Sequence, residues 1–201
     1  MNWLAHLFLS EANPACRIGN LLPDLVPAPA LAGLPADFLR GVRQHRQIDS
    51  FTDRHAIVRR SIGRVPANFR RFGGILVDIF YDHFLSRDWL NYHLTPLPDF
   101  VDEFYSSFAH HRAEIPPEAY AHLERIRSGN FLCSYGEMGD LAEVLRRLGL
   151  RFRKPVALDQ AVSVLEKDYA GFRADFDAFF PELILHTETR GMNSALRCSA
   201  D

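Results

Sequence analysis

G-I-L-V-D-I-F-Y-D-H-F-L-S-R-D-W, running from Gly74 to Trp89, is the stretch that decides the fold. Coiled as a helix, it is apolar nearly all round through Ile75, Phe80, Tyr81, Phe84, Leu85 and Trp89, and such a helix belongs inside a packed core. Yet it carries Asp78, Asp82 and His83. Asp78 and Asp82 are four residues apart, so both carboxylates leave one face, where Ile75, Leu85 and Trp89 are apolar neighbours. Two carboxylates side by side in a core repel, and each is costly to desolvate unless something compensates. A divalent cation, paired arginines or one shared proton would compensate. The alternative is a buried helix whose acids cap neighbouring helices or pair with arginines.

Upstream, Pro35 opens a helix at its first turn. Phe38, Val42, His45, Asp49 and Thr52 follow at spacings of four and three, one helical stripe that begins apolar and turns into His then Asp. His45 and Asp49 can hold one ion together as imidazole nitrogen and carboxylate oxygen. Asp53 and His55 come next. Between residues 40 and 71 stand nine arginines and two aspartates in a chain of net charge −2. That surplus reads either as a solvated face or as a landing surface for an acidic partner or phosphate. Gly73 and Gly74 break the chain before the central helix.

Further upstream, Met1 to Glu11 predicts a short amphipathic helix with Asn2 as N-cap and Trp3, Leu4, Leu7 and Phe8 on its buried side. His6 lies one position from that stripe and by itself reads as a satisfied or exposed histidine. Residues 15–26 form a second short segment that Pro23 should end, placing Asp24 at a helix end or in a loop. Residues 27–35 are a proline-rich loop.

Downstream, Thr95 to Pro98 is a connector. Helices are predicted around Phe100–Phe108, around Tyr120–Ile126 with Gly129 near the C-terminus, and within Gly136–Gly149. A long helix should run from Leu158 through Phe179 and stop at Pro181, its aromatics forming core. No alternating strand pattern, internal repeat, Walker-type loop, G-x-S-x-G or C-x-x-C pair occurs.

The composition, 47% hydrophobic and 24% charged over 201 residues, suits one all-α, single-domain compact helical bundle over 1–201. Residues 1–94 carry the candidate site, 95–190 complete the bundle, and 191–201 are expected as a frayed tail. The small net charge argues against nucleic acid. No apolar run is long enough to span a membrane, and no signal peptide is apparent. The three cysteines form neither a zinc pattern nor a disulfide framework, so a cytoplasmic setting is expected.

Four motifs in order, M-N-W-L-A-H-L (Met1–Leu7), G-N-L-L-P-D (Gly19–Asp24), H-R-Q-I-D (His45–Asp49) and D-I-F-Y-D-H-F-L-S-R-D-W (Asp78–Trp89), resemble the acyl carrier protein phosphodiesterase family. The N-terminal half resembles it closely, the rest in helical character and aromatic pattern. The family is similar to the all-helical HD-type metal phosphohydrolases, so the resemblance implies an HD-like bundle. It further implies hydrolysis of 4′-phosphopantetheine from holo-acyl carrier protein, an acidic protein substrate, with Mn²⁺ or Mg²⁺. On that basis Asp24, His45, Asp78 and Asp82 are expected to ligate the metal and Asp49 to orient His45 or a water. His83 or His6 would protonate the leaving serine oxygen, and Arg40, Arg43 and Arg54 would dock the carrier. Two rival readings are an HD-like hydrolase of a small nucleotide or other phosphodiester, and a non-catalytic helical module that binds an acidic partner.

Overall fold

The computed structural model of the chain describes the backbone of residues 1–198 and the side chains of residues 1–189, and every regular element among them is helical. The first helix, α1 (Trp3–Phe8), is shorter than its amphipathic pattern predicts. Asn2 stands at its N-cap position but does not cap it; the Asn2 amide donates to the Tyr135 hydroxyl at 2.8 Å instead. Helix α2 (Pro14–Leu25) is capped by Asn13, whose side chain accepts from the Cys16 N–H. Pro23 does not end it. The missing N–H falls in the last turn, one residue before Asp24, and the helix stops at Leu25. The proline-rich segment that follows holds one 3-10 turn, Ala28–Leu31, and Gly33 at φ +81°, a backbone state that glycine adopts without a Cβ clash.

Helix α3 (Ala36–Arg54) begins directly after Pro35, and α4 (Ala56–Arg64) follows with His55 at the junction. After a 3-10 turn at Arg70–Phe72 comes α5 (Gly73–Arg87), the central helix. Gly73 and Gly74 are its first residues rather than a break before it. Ile75, placed on the buried face by the sequence pattern, is 39% exposed because the first turn projects beyond the core, whereas Leu76 through Leu85 is buried apart from Asp78. Helices α6 (Trp89–Tyr92), α7 (Leu97–His110), α8 (Pro117–Ser128) and α9 (Met138–Leu150) follow. Pro98 sits inside the first turn of α7, where its missing N–H would be unpaired anyway.

The long helix expected from Leu158 to Pro181 is three elements: a 3-10 turn at Leu158–Ala161, α10 (Val162–Lys167) and α11 (Tyr169–Cys198). The interruption is at Asp168, which leaves helical geometry; its carboxylate accepts from Arg64 at 2.6 Å, and its carbonyl accepts the Phe172 N–H of α11. Helix α11 passes through Pro181, because its apolar stripe continues on both sides of the proline through Phe176, Phe179, Phe180 and Leu183, all fully buried. It runs to Cys198, and residues 199–201 of the expected tail lie outside the described residues.

Two packing relationships position the site. Helix α11 lies against α5 through an aromatic layer in which Phe80 meets Phe172, Tyr81 meets Phe179, and Phe84 meets Phe176 at 5.2–5.6 Å between centroids. Helices α2 and α3 pack backbone against backbone. A Cβ on Gly19 would lie 2.1 Å from the Phe38 carbonyl oxygen, and one on Gly41 would lie 2.1 Å from that of Cys16. Only hydrogen fits at either position, so the two backbones touch.

Candidate metal centre

The close approach of α2 to α3 brings Asn20 beside His45. The His45 Nδ1 lies 2.7 Å from the Asn20 backbone carbonyl, which can only accept, so Nδ1 carries the proton. His6, on α1, is held by the same residue: its Nδ1 lies 3.0 Å from Asn20 Oδ1. That oxygen is an acceptor, because the Asn20 amide nitrogen donates to the His6 carbonyl at 3.0 Å and to Ser10 Oγ at 2.7 Å. Both imidazoles therefore have Nδ1 fixed as a donor, and they stack with centroids 4.2 Å apart and planes 17° from parallel.

Their free nitrogens converge on one carboxylate. His6 Nε2 is 3.1 Å from Asp49 Oδ1, and His45 Nε2 is 2.9 Å from Asp49 Oδ2. In neutral imidazoles these are lone pairs facing an anion, so something positive must sit between them: protons or a metal ion. Protonating both rings would stack two buried cations face to face. Burial, opposed by the hydrogen bond to Asp49, holds His6 below its ordinary pKa. Burial also lowers His45, but Asp49 and Asp24 outweigh it and raise its pKa. Anchoring Nδ1 through a neighbouring carbonyl while leaving Nε2 free is how metal-binding histidines are oriented. Ligand atoms of His6, His45 and Asp49 all lie within 4.8 Å of one another, close enough to share one divalent ion. The donor set, two imidazoles and a carboxylate with no thiolate, fits such an ion.

The surrounding acids sharpen this. Asp24 Oδ1 is 3.7 Å from His45 Nε2. The Met1 α-ammonium is 3.3 Å from Asp49 Oδ1 and 3.4 Å from Asp78 Oδ1. Burial lowers the ammonium pKa, yet Asp78 and Asp49 carry it up to about 10. The cluster opens to solvent on its acidic side, where Asp24, Asp49 and Asp78 are 38%, 37% and 29% exposed.

The other residues singled out in the sequence are placed elsewhere. Asp82 is fully buried, and its two oxygens accept the N–H groups of Leu4 and Ala5 at 2.8 and 3.1 Å, supplying the cap that Asn2 does not. Burial, opposed by those two donors, pushes its pKa up to about 7. His83 donates from Nδ1 to the Tyr135 carbonyl at 2.7 Å and accepts at Nε2 from the Tyr169 hydroxyl at 3.1 Å. Neither residue shares a hydrogen bond with the histidine pair among the described residues. Arg40 is paired within the protein, to Glu11 at 2.8 Å and Asp37 at 2.9 Å. Arg43 and Arg54 are exposed on α3. Asn20, which anchors both imidazoles, carries no role in the sequence reading. The signal for it is a polar residue between Ile18, Leu21 and Leu22, all of them buried.

A family model described as acyl carrier protein phosphodiesterase matches residues 1–183. A protein of Photorhabdus laumondii named acyl carrier protein phosphodiesterase is 32% identical, covering 94% of this chain and 96% of that protein. Proteins with the same name from Pectobacterium atrosepticum and Escherichia coli O157:H7 are 31% and 28% identical, covering 94% and 96% of this chain and 99% and 100% of theirs. No solved structure matches the chain. The likeness to HD-type phosphohydrolases accordingly rests on the sequence motifs.

Proposed function

This chain belongs to the acyl carrier protein phosphodiesterase family, and we propose on that premise that it hydrolyses the phosphodiester joining 4′-phosphopantetheine to the serine of holo-acyl carrier protein. The observation that carries the chemistry is the convergence of His6 Nε2, His45 Nε2 and both Asp49 oxygens. His6, His45 and Asp49 would hold one divalent ion, with Asp24 and Asp78 as adjacent oxygen donors. Mixed imidazole and carboxylate ligation favours Mn²⁺ over Mg²⁺, which prefers oxygen and retains water. Such an ion supplies charge neutralisation for the phosphate and acidifies a water for in-line attack.

The chain's own residues do the rest. Asn20 fixes both rings with Nε2 forward. Asp24, the exposed acid next to His45, is placed to accept a proton from the attacking water. Water would add to phosphorus as the bond to the serine oxygen breaks, and that oxygen would take up the proton that Asp24 accepted, giving apo-carrier and free 4′-phosphopantetheine. Asp82 and His83, assigned to ligation and proton transfer on sequence grounds, have their polar atoms engaged in holding α1, Tyr135 and Tyr169. The basic outer surface of α3 would meet the acidic carrier. Among the described residues no helix is long and apolar enough to cross a membrane, and Cys16 and Cys133 are free thiols, as a reducing cytoplasm would keep them.

The test is mass spectrometry of holo-acyl carrier protein incubated with the protein and Mn²⁺. Loss of the phosphopantetheine mass, abolished by chelator and restored by Mn²⁺, is expected. An unchanged carrier mass with metal-loaded protein would end this reading.

A further inference from the structure

Helix α3 carries the candidate metal ligands on one side and an open pocket of about 410 Å³ on the other. Residues four apart align along a helix, so Arg46, Ser50 and Arg54 form one row, with Gln47 and Phe51 in the row beside it. All five line the pocket. Residues two apart leave a helix about 200° apart, so Phe51 faces away from Asp49. The back wall is aromatic. Phe51 stacks on His186 of α11 with centroids 4.3 Å apart, and His55 lies 5.2 Å from Phe51. The fully buried Phe179 stands 6.1 Å from Phe51 and 4.9 Å from His55, which ties these rings to the core. The rim is cationic. Arg46 and Arg54 are exposed and make no ion pair among the described residues, unlike Arg40, Arg60 and Arg64, which pair with acids of the fold. Arg59 donates to the Arg54 carbonyl and brings a further guanidinium to that end. The acid at the edge, Glu182, is 3.2 Å from His55 Nε2.

A pocket of this size is in the range of small-molecule sites. Its two sides ask for different chemistry in one ligand. A bare phosphate would meet the guanidiniums and leave the rings in water, and an apolar molecule would cover Arg46 and Arg54 without pairing them. We propose that the pocket is a binding site for a nucleoside polyphosphate. The base packs against the Phe51–His186 wall, since every base offers a π-face to aromatic side chains. Gln47 and Ser50 each carry a donor and an acceptor, the complement that base edges and ribose hydroxyls need. The polyphosphate runs along the rim row. Arg46 and Arg54 are eight residues apart, about 12 Å along the helix, and their long side chains reach an extended anion from both ends. Guanidinium forks meet phosphate oxygens with paired hydrogen bonds, which lysine cannot supply. Because Phe51 faces away from Asp49, the nucleotide binds without using the metal centre. It shares Arg54 with the surface proposed above to meet the carrier, so binding is tested on the protein alone.

The experiment is equilibrium dialysis of the full chain against radiolabelled ATP, in buffer containing chelator. One saturable site per chain is expected. Arg46→Gln/Arg54→Gln should weaken ATP binding by about tenfold or more, and Phe51→Leu, which removes the ring and keeps an apolar side chain, should weaken it as well. Adenosine and tripolyphosphate, each carrying half of the ligand, should compete at least about tenfold less well than ATP. His45→Ala should bind ATP like wild type. Thermal melting checks that each variant is folded, and the arginine pair, lying on the surface, decides the matter if Phe51→Leu does not fold. No saturable binding at millimolar ATP overturns the proposal. So does unchanged binding by the folded arginine variant. Tripolyphosphate competing as well as ATP would reduce the pocket to an anion patch with no place for a base, and loss of ATP binding in His45→Ala would put the nucleotide at the metal centre; either result ends the proposal. Cleavage of holo-carrier enters none of these measurements, so the nucleotide site and the phosphodiesterase reading stand or fall separately.

Discussion

His6 and His45 lie face to face, 4.2 Å between ring centroids, each with Nε2 aimed at a different oxygen of Asp49. The two rings come from helices far apart in the chain, and one residue, Asn20, orients both. With both rings neutral the arrangement leaves acceptors facing an anion, a conflict that a proton or a divalent ion between them would relieve.

Metal affinity should therefore depend on Asn20 as well as on the ligands. His45→Ala should abolish tight Mn²⁺ binding measured by calorimetry. Asn20→Ala removes the amide oxygen that anchors His6, and loss of such outer partners typically weakens binding roughly ten- to a hundredfold. Unchanged Mn²⁺ affinity in both variants would mean that the histidine pair is purely structural.

Asp82 should behave as a helix cap. Its carboxylate is the acceptor for two buried N–H groups at the start of α1, and leaving one buried donor unpaired costs about 1–3 kcal/mol. Asp82→Ala should lower the melting temperature strongly in metal-free protein, and Asp82→Asn, which keeps one acceptor oxygen, should lower it less. If Asp82→Ala melts like wild type without metal but binds Mn²⁺ poorly, Asp82 is a ligand after all.

These results mark what the sequence could and could not say. Periodicity located the central helix, the α3 stripe with His45 and Asp49, and the amphipathic helices α7 to α9, because each buries a face that repeats with the helical turn. It placed Asp78 and Asp82 on one face, but not what each meets there: an ammonium in one case, the end of α1 in the other. Those partners lie more than seventy positions away in sequence. Taken alone, His6 reads as a satisfied or exposed histidine, and only the family resemblance gives it a part, as proton donor, because α1 by itself gives no hint of Asn20 or Asp49. Proline misled twice, at Pro23 and Pro181, since the apolar packing of a long face can outweigh one missing hydrogen bond.

Acid sensitivity should trace partly to Asp175. This buried carboxylate accepts from Ser61 at 2.8 Å, Arg60 at 2.7 Å and Arg64 at 2.9 Å. Burial raises its pKa, but the hydrogen bonds from Arg64, Arg60 and Ser61 outweigh this and hold it below the usual carboxylate value. A depressed folded pKa means a stabilising contribution that is complete above the unfolded value, about 3.9, and lost as pH falls through the folded one. Breaking a buried pair costs roughly 3–5 kcal/mol. Because Arg60 is 56% exposed, Asp175→Asn should cost nearer about 2–3 kcal/mol at neutral pH. Melting curves should then show wild type losing stability below about pH 4 more steeply than the variant. Parallel curves would assign the acid transition to other groups.

The contact between α2 and α3 makes the sharpest prediction, because it joins stability to the site. Gly41 faces the Cys16 carbonyl so closely that a Cβ would sit 2.1 Å from its oxygen and 2.7 Å from the Asn20 backbone nitrogen. Backbone atoms cannot rotate aside as a flexible side chain would, so Gly41→Ala must push the helices apart. Overpacking typically costs about 1–3 kcal/mol and occasionally more. The same displacement moves Asn20 away from His45, whose ring is held by the Asn20 carbonyl at 2.7 Å. Gly41→Ala should therefore lower both the melting temperature and the Mn²⁺ affinity, although residue 41 supplies no side chain to the site. Gly63→Ala is the control, since its Cβ would meet nothing within 4 Å, and at an exposed position in the last turn of α4 it should be neutral or slightly stabilising. If Gly41→Ala lowers stability but leaves Mn²⁺ affinity at the wild-type value, the histidine pair does not depend on the helix contact, and the link from fold to site drawn through Asn20 is wrong.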